Sequence, residues 1–127
     1  MDVTPLVRKG LNIIQAYKGG RFVVSGQSFD GPLVVSPEEV LAWPTQAADI
    51  SSLGYDDFSL LRARAVSFDV ILLGGGGEMA FLAPALKNAL MADGLRLETM
   101  DTGAACRTYN VLMAEGRRVA AALLPVQ

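Results

Sequence analysis

Short apolar runs separated by glycine and proline dominate the first third of the chain. Residues 12–17 and 21–25 are rich in β-branched and aromatic side chains, and the loop at 18–20 between them contains two glycines. Two such runs joined by a short glycine-containing loop predict an antiparallel hairpin. The triplet 33–35 is entirely aliphatic and lies between proline-containing breakers, so we predict a third short strand there.

The segment after this third strand carries conflicting signals. Ser36 and Pro37 resemble the start of a helix, with serine as the N-cap and proline at the first helical position. The Trp43–Pro44 pair would disrupt a helix a few residues later, because the residue before a proline disfavours helical backbone. We therefore expect one helical turn followed by a loop.

In the middle of the chain the hydrophobic pattern changes to a helical period. Residues 56–65 place apolar side chains on one stripe, and residues 79–92 do the same over a longer span that ends at Asp93 and Gly94. Between them, residues 70–73 form a continuous aliphatic run, which is typical of a strand buried on both faces. The pattern therefore predicts a helix, a buried strand and a second helix.

The last third of the chain continues this alternation. Residues 95–99 predict a strand, residues 104–115 a helix that stops at Gly116, and residues 118–124 a final aliphatic strand. The connections are short, and right-handed crossovers make such strands parallel. The predicted fold class is α/β, with a single domain over residues 1–127 in which an N-terminal β-rich part joins a βαβαβ core.

Composition and charge exclude several classes of function. The 127 residues are 51% hydrophobic and carry a net charge of −2, which indicates a folded domain without the basic surface that nucleic acids require. Histidine is absent, so Ser-His-Asp and Cys-His catalysis and imidazole metal sites are excluded. No dense acidic cluster is present either. We expect no catalytic residue, no metal and no cofactor.

The compartment follows from the single thiol and from the apolar runs. One cysteine cannot form an internal disulfide, which fits a reducing compartment. No uncharged stretch approaches the length of a membrane span, and the N-terminus does not have the pattern of a secretory signal. We therefore expect a cytoplasmic protein without a membrane span.

The strongest local feature is a run of four glycines between the predicted buried strand and the following helix: Gly74, Gly75, Gly76 and Gly77. Such a turn allows close backbone approach and leads into a helix N-terminus that favours anions. Gly75, Gly77 and Ala80 fit the dinucleotide pattern G-x-G-x-x-G/A, and Glu98 stands where a ribose-binding acid belongs. Only part of a dinucleotide fold is present, however, and the alternative is a tight turn that lets strand and helix pack closely.

A second turn should lie at the same edge of the sheet as the glycines. Asp101, Thr102 and Gly103 follow the next predicted strand, and the carboxyl ends of parallel strands share one edge, where ligands bind in open α/β sheets. The two turns together form the candidate crevice for a small anionic ligand. The alternative role for Asp101 or Thr102 is the N-cap of the last helix, and we weigh that role more heavily.

Four further residues are candidates for function. Cys106 lies near the start of the last helix, where a thiolate is favoured, but the alternative is a small buried side chain. Arg107 and Asn110 lie on one side of that helix and either meet a partner or fix the helix through hydrogen bonds. Trp43 is either an exposed interface anchor or a buried core residue.

Three motifs resemble one known family: the glycine turn after the buried strand, the sequence RTYNVL at 107–112 and the triplet EGR at 115–117. Together with the pattern of the N-terminal half, they resemble the Mth938-like family, the domain of unknown function 498. The resemblance implies a three-layer α/β fold with a mixed central sheet and an extra β layer. It carries no catalytic residue, because no activity or cofactor is established for the family in general.

The resemblance also bears on function. Its eukaryotic relatives include the mitochondrial complex I assembly factor 3 group, which favours a noncatalytic assembly or interaction module with a protein partner or a second copy of itself. The chain departs from the family's usual Gly-x-Gly turn by having four consecutive glycines. The alternative function is a small-molecule binding protein or enzyme that holds a nucleotide or another anion at this turn.

Overall fold

The computed structural model describes residues 10–78 and 80–127. Residues 14–30 fold into a small antiparallel sheet of three strands in the order β1-β2-β3. These strands are β1 (Ile14–Lys18), β2 (Arg21–Val24) and β3 (Gln27–Asp30). The hairpin predicted around the loop at 18–20 is confirmed, and β3 continues it as a third strand.

The central sheet has five strands in the order β5-β4-β8-β6-β7. They are β4 (Leu33–Val35), β5 (Val40–Ala42), β6 (Val70–Gly75), β7 (Leu97–Met100) and β8 (Val119–Leu124). Strand β6 pairs in parallel with β7 and β8, whereas β4 pairs antiparallel with β5 and β8. The predicted mixed sheet with parallel strands in its C-terminal core is therefore confirmed.

Helices cover both faces of the central sheet. The helices are α1 (Ser59–Arg62), α2 (Pro84–Ala92) and α3 (Thr102–Ala114). One face packs against α2 and the irregular segment that contains Trp43, Ile50 and Phe58. The opposite face packs against α3 together with the three-stranded sheet. This arrangement gives the three layers that the family resemblance implied.

The predicted helices in the middle of the chain were too long. The segment 56–65 is divided into a 3₁₀ turn at Tyr55–Phe58 and the short α1, followed by another 3₁₀ turn at Ala65–Ser67. The predicted helix at 79–92 begins only at Pro84, because proline at the first helical position fixes the start and disfavours helix in the residue before it. Position 79, where the prediction began, lies outside the described residues.

Two strands were missed by the pattern. Residues 27–30 are polar and mostly exposed, so β3 carries no hydrophobic alternation. The helical turn expected after Ser36 is absent, and the chain bends there and returns as β5 along β4. Ser36 nevertheless organises the bend, because the Glu39 amide donates to its hydroxyl at 3.2 Å and the Ser36 amide donates to the Glu39 carbonyl at 2.9 Å.

Candidate functional site

The two turns predicted to share one edge of the sheet are in direct contact. The Thr102 amide donates to the Gly76 carbonyl at 2.9 Å, and the Gly76 amide donates back to the Thr102 hydroxyl at 2.8 Å. The same hydroxyl donates to the Leu124 carbonyl at 2.6 Å. Thr102 is completely buried. One side chain therefore joins the ends of β6 and β8 to the start of α3.

Three of the four glycines are packed against the protein itself. A Cβ at Gly74 would lie 3.0 Å from the Thr102 hydroxyl and from a methyl of Leu123. A Cβ at Gly75 would lie 2.5 Å from the Ile50 side chain. Gly76 has φ +91°, a conformation that L side chains rarely adopt, whereas a Cβ at Gly77 would have open space around it. These contacts fit the tight-turn alternative, in which the glycines let strand, helix and loop pack closely.

The glycine turn lacks the features that bind a phosphate at a helix N-terminus. The Gly76 amide is already satisfied by Thr102. Helix α2 begins at Pro84, which has no N–H to offer, and the residues described between Gly77 and Pro84 are not helical. Glu98, the candidate ribose-binding acid, pairs with Leu72 within β7 rather than standing at the end of that strand. The sequence therefore matches the dinucleotide-binding pattern, but the turn does not have the geometry that this pattern normally accompanies.

The second turn caps the N-terminus of α3, which is the role that we favoured over contact with a ligand. Asp101 is the N-cap of α3, and its carboxylate accepts a hydrogen bond from the Ala104 amide at 2.8 Å. Gly103 lies beneath the Tyr17 ring, because a Cβ there would come within 2.8 Å of the phenolic ring carbon and would overlap the hydroxyl. The start of α3 is thus packed tightly against β1.

Arg107 and Asn110 differ in what their side chains contact. The Asn110 amide group bonds the backbone of Ile14 twice, accepting from its N–H at 2.9 Å and donating to its carbonyl at 2.7 Å. The Tyr109 hydroxyl donates to the Asn12 carbonyl at 2.8 Å. Of the two alternatives for Asn110, the side chain therefore fixes α3 through hydrogen bonds within the protein. Arg107 is exposed and donates a long hydrogen bond of 3.4 Å to the Tyr17 hydroxyl.

One exposed patch surrounds Arg107. Tyr17 is half-buried beside it, and Val111, one turn further along the same face of α3, is 54% exposed. We call Tyr17, Arg107 and Val111 the Arg107 patch. The sequence pattern pointed to Arg107 but not to Tyr17 or Val111, because the contact between β1 and α3 has no local signal in the sequence.

Trp43 is buried rather than exposed. Its residue exposure is 2%, its indole N–H donates to the Asp57 carbonyl at 2.7 Å, and its ring lies 5.9 Å from that of Phe58. The indole has a hydrogen-bond partner as well as apolar contacts, which is how a buried tryptophan is usually satisfied. Of the two alternatives, Trp43 is therefore a core residue, and the prediction that it is an interface anchor is wrong.

The Cys106 thiol is buried, which agrees with the alternative of a small buried side chain and not with a favoured thiolate. Burial raises the pKa of Cys106 to about 12, against a smaller opposing effect of Arg107. The helix N-terminus does not compensate for the loss of water around the sulfur. At neutral pH this cysteine behaves as a small apolar side chain of the core, together with Tyr109 and Met113.

The rest of the described chain offers few features of a functional site. Within residues 10–78 and 80–127, no three acidic or thiol side chains are grouped as metal ligands would be. In the same residues, no helix has the length and apolar character needed to cross a bilayer. A cleft of about 480 Å³ lies at the opposite end of the sheet from the glycine turn, with Pro37, Phe68 and Met113 among its lining residues.

The fold and the two joined turns define an α/β domain of the Mth938-like class. The solution structure of the Mth938-like domain from Bordetella pertussis matches this chain with a TM-score of 0.76 and 32% identity, covering 98% of this chain and 92% of that one. A family model described as a protein of unknown function (DUF498/DUF598) matches residues 14–124. The chain therefore belongs to the DUF498/DUF598 family.

Two relatives show how widely this domain is used. An uncharacterized protein of Rhodobacter capsulatus is 40% identical over 113 residues, covering 89% of this chain and 84% of that protein. A Bos taurus protein named NADH dehydrogenase (ubiquinone) 1 alpha subcomplex assembly factor 3 is 33% identical over 113 residues. That match covers 88% of this chain but only 60% of the assembly factor. The family is thus related to assembly factors, and this chain corresponds to part of their length.

Proposed function

We propose that this chain is a noncatalytic protein-interaction module that takes part in assembling a larger complex. The relationship to assembly factor 3 supports the proposal, since the similarity extends over most of the domain. The proposal is also supported by the candidate crevice, whose polar groups already have hydrogen-bond partners within the protein. Thr102 and Asp101 use their polar atoms to hold the fold together, and so does Asn110 further along α3.

The observation that carries the proposal is the Arg107 patch. Arginine and tyrosine are the residue types that most often dominate protein interfaces, and here they stand together on a helix face beside an exposed valine. Arg107 forms no ion pair within the described residues. Its charge is therefore free to meet an acidic group on a partner, with the Tyr17 ring and Val111 supplying apolar contact.

The experiment is affinity capture with the full chain as bait from cells that contain it, followed by mass spectrometry. The supporting result is enrichment of several subunits of one complex, lost with Arg107→Glu. The matched control is Arg21→Glu, which reverses an arginine on β2 whose side chain is 67% exposed and forms an ion pair with Asp30, whose side chain is 77% exposed. Both variants should fold like the wild type, because exposed substitutions usually change stability by less than about 0.5 kcal/mol.

Two results would contradict the proposal. One is equal capture by the wild type and by Arg107→Glu, which would leave the patch without a role. The other is the absence of any complex subunit above the background of the untagged control. We place this role in the cytoplasm, a proposal supported by the single buried thiol, and cell fractionation with immunodetection checks the location.

A further inference from the structure

The outer edge of β7 carries unpaired backbone groups. Strand β7 is the last strand of the central sheet. The Ile71 amide donates to the Arg96 carbonyl at 2.8 Å, and Ile71 stands opposite Leu97 in the parallel register. This phase directs the N–H and C=O groups of Leu97 and Thr99 away from β6. No residue of the described chain pairs with them.

Two other outer edges, those of β5 and β1, are protected in ways that β7 is not. Strand β5, at the opposite end of the central sheet, has only three residues and stands between Pro37 and Pro44. On the outer edge of β1, the amide side chain of Asn110 occupies both backbone groups of Ile14. Strand β7 has no proline, and the described residues place no such cap on it. An open strand of this kind is a template for pairing with another strand.

Two charges determine which partner fits this edge: Arg96, immediately before β7, and Glu98, within it. Arg96 and Glu98 are both exposed, lie two residues apart and so project from the same face, and neither forms an ion pair within the described residues. A second β7, running antiparallel, presents the same two charges in reverse order. The strand is therefore complementary to a copy of itself, because each Arg96 can face the Glu98 of the other copy.

Backbone phase and charge together select one register. Only odd-numbered positions direct their backbone groups outward, and an antiparallel pair keeps them opposite each other when its twofold axis lies at any residue of β7. An axis at Thr99 or Met100 moves Arg96 beyond the Glu98 of the other copy and forms no ion pair. An axis at Glu98 would place two Glu98 carboxylates opposite each other, which is destabilising. An axis at Leu97 instead forms two Arg96–Glu98 pairs and lets the two Leu97 residues exchange both backbone hydrogen bonds.

The surface beside β7 suits this arrangement. A groove of about 730 Å³ borders the beginning of the strand, and its lining residues include Leu97 together with Met91 and Lys87 of α2. Met91 is 53% exposed. A twofold axis perpendicular to the sheet places both copies of α2 on the same side of the joined sheet. Each Met91 then flanks the seam between the copies and loses contact with water.

We propose that two copies of this chain associate through antiparallel pairing of β7, with the twofold axis at Leu97, so that the two central sheets become continuous. The association uses a surface distinct from the Arg107 patch and does not depend on an assembly role. Sedimentation equilibrium of the full chain over a range of concentrations measures the dimer dissociation constant.

Charge reversal provides the first test. Arg96→Glu and Glu98→Arg each place like charges opposite each other twice in the dimer, and each should raise the dissociation constant about tenfold or more. A mixture of the two variants should form a one-to-one heterodimer, because acidic positions of one chain then face basic positions of the other. The double variant Arg96→Glu/Glu98→Arg should restore the homodimer.

Two more variants separate the edge from general effects of charge or folding. Thr99→Pro removes an outward N–H that β6 does not use, so it should abolish dimers while far-ultraviolet circular dichroism remains that of the wild type. Glu115→Arg reverses an exposed charge after the end of α3 and should leave the dimer intact. A chain that is monomeric at every concentration would overturn the proposal. So would a dimer that persists in Arg96→Glu, Glu98→Arg and Thr99→Pro.

Discussion

The Thr102 hydroxyl and the Gly76 amide are 2.8 Å apart, and the bond between them closes the crevice that the sequence placed at this edge of the sheet. The Thr102 amide bonds the Gly76 carbonyl in return. Because the hydroxyl also donates to the Leu124 carbonyl, it connects β6, β8 and α3 at one point. The edge where open α/β sheets usually bind ligands is here a structural junction.

Thr102→Val should destabilise the fold strongly. Valine has nearly the same shape but leaves the Gly76 amide and the Leu124 carbonyl buried without partners. Each such group costs about 1–3 kcal/mol, so we expect a loss of about 2–6 kcal/mol in the free energy of unfolding, measured by urea denaturation. Thr102→Ser keeps the hydroxyl and should lose about 1 kcal/mol. Equal stability of the two variants would contradict the role assigned to the hydroxyl.

The alternative function, anion binding at the glycine turn, makes a separate prediction. Because the Gly76 amide is occupied and α2 starts with a proline, we expect nucleotides and phosphorylated metabolites to leave the melting temperature unchanged. A ligand at one hundred times its dissociation constant would add about 2.7 kcal/mol, or about 10 °C for a domain of this size. A shift of that kind which Gly77→Val removes would show that the open side of the turn binds ligands after all, since Gly77 is the glycine with free space around it.

The effect of Gly103→Ala on the free energy of unfolding should depend on whether the Tyr17 side chain is present. Gly103 does not have a positive φ, and alanine normally stabilises a helix relative to glycine by about 0.5–1 kcal/mol. Here the added methyl overlaps the Tyr17 hydroxyl, so we expect a loss of about 1 kcal/mol in the wild-type background.

The control for this prediction is the Tyr17→Ala background, where the space above Gly103 is free. There Gly103→Ala should stabilise the protein, and the cycle of four proteins isolates the contact between the two residues. Denaturant midpoints of all four measure it. An equal effect of Gly103→Ala in both backgrounds would mean that Tyr17 moves aside without cost.

Sequence patterns predicted the parts of this fold that depend on local physics. Strands β6 and β8 are continuous aliphatic runs because both of their faces are buried. Asp101 was predicted as a possible N-cap, since its carboxylate is the right length to reach the helix amides. The crossover rule then made β6, β7 and β8 parallel without further information.

The features that sequence patterns did not predict depend on contacts between distant segments. Thr102 bonds residues that are 26 and 22 positions away, and Asn110 bonds Ile14 across 96 positions. No local period reports such pairs. Strand β3 was missed for a related reason: its residues are polar, and it is a strand because β2 offers it a free edge rather than because it buries a face.

The last prediction concerns how the free energy of unfolding depends on pH in the alkaline range. Burial raises the pKa of Cys106 to about 12 in the folded protein, against an ordinary value of 9.0. Between these two values the unfolded chain has lost the thiol proton and the folded chain keeps it. The free energy of unfolding is therefore unaffected by this thiol below about pH 9 and falls above it, by up to about 1.4 kcal/mol per pH unit. Burial also raises the pKa of Tyr109, which acts in the same direction at higher pH.

Cys106→Ala isolates the contribution of the thiol. The variant is less stable at neutral pH because a buried sulfur is lost, but its stability should fall less steeply between pH 9 and 11 than that of the wild type, by urea denaturation at each pH. In the same range the folded wild type should resist alkylation by iodoacetamide and react only after denaturation, because the thiolate is the nucleophile. Parallel pH profiles for the two proteins, or rapid alkylation of the native state, would show that the thiol ionises within the fold.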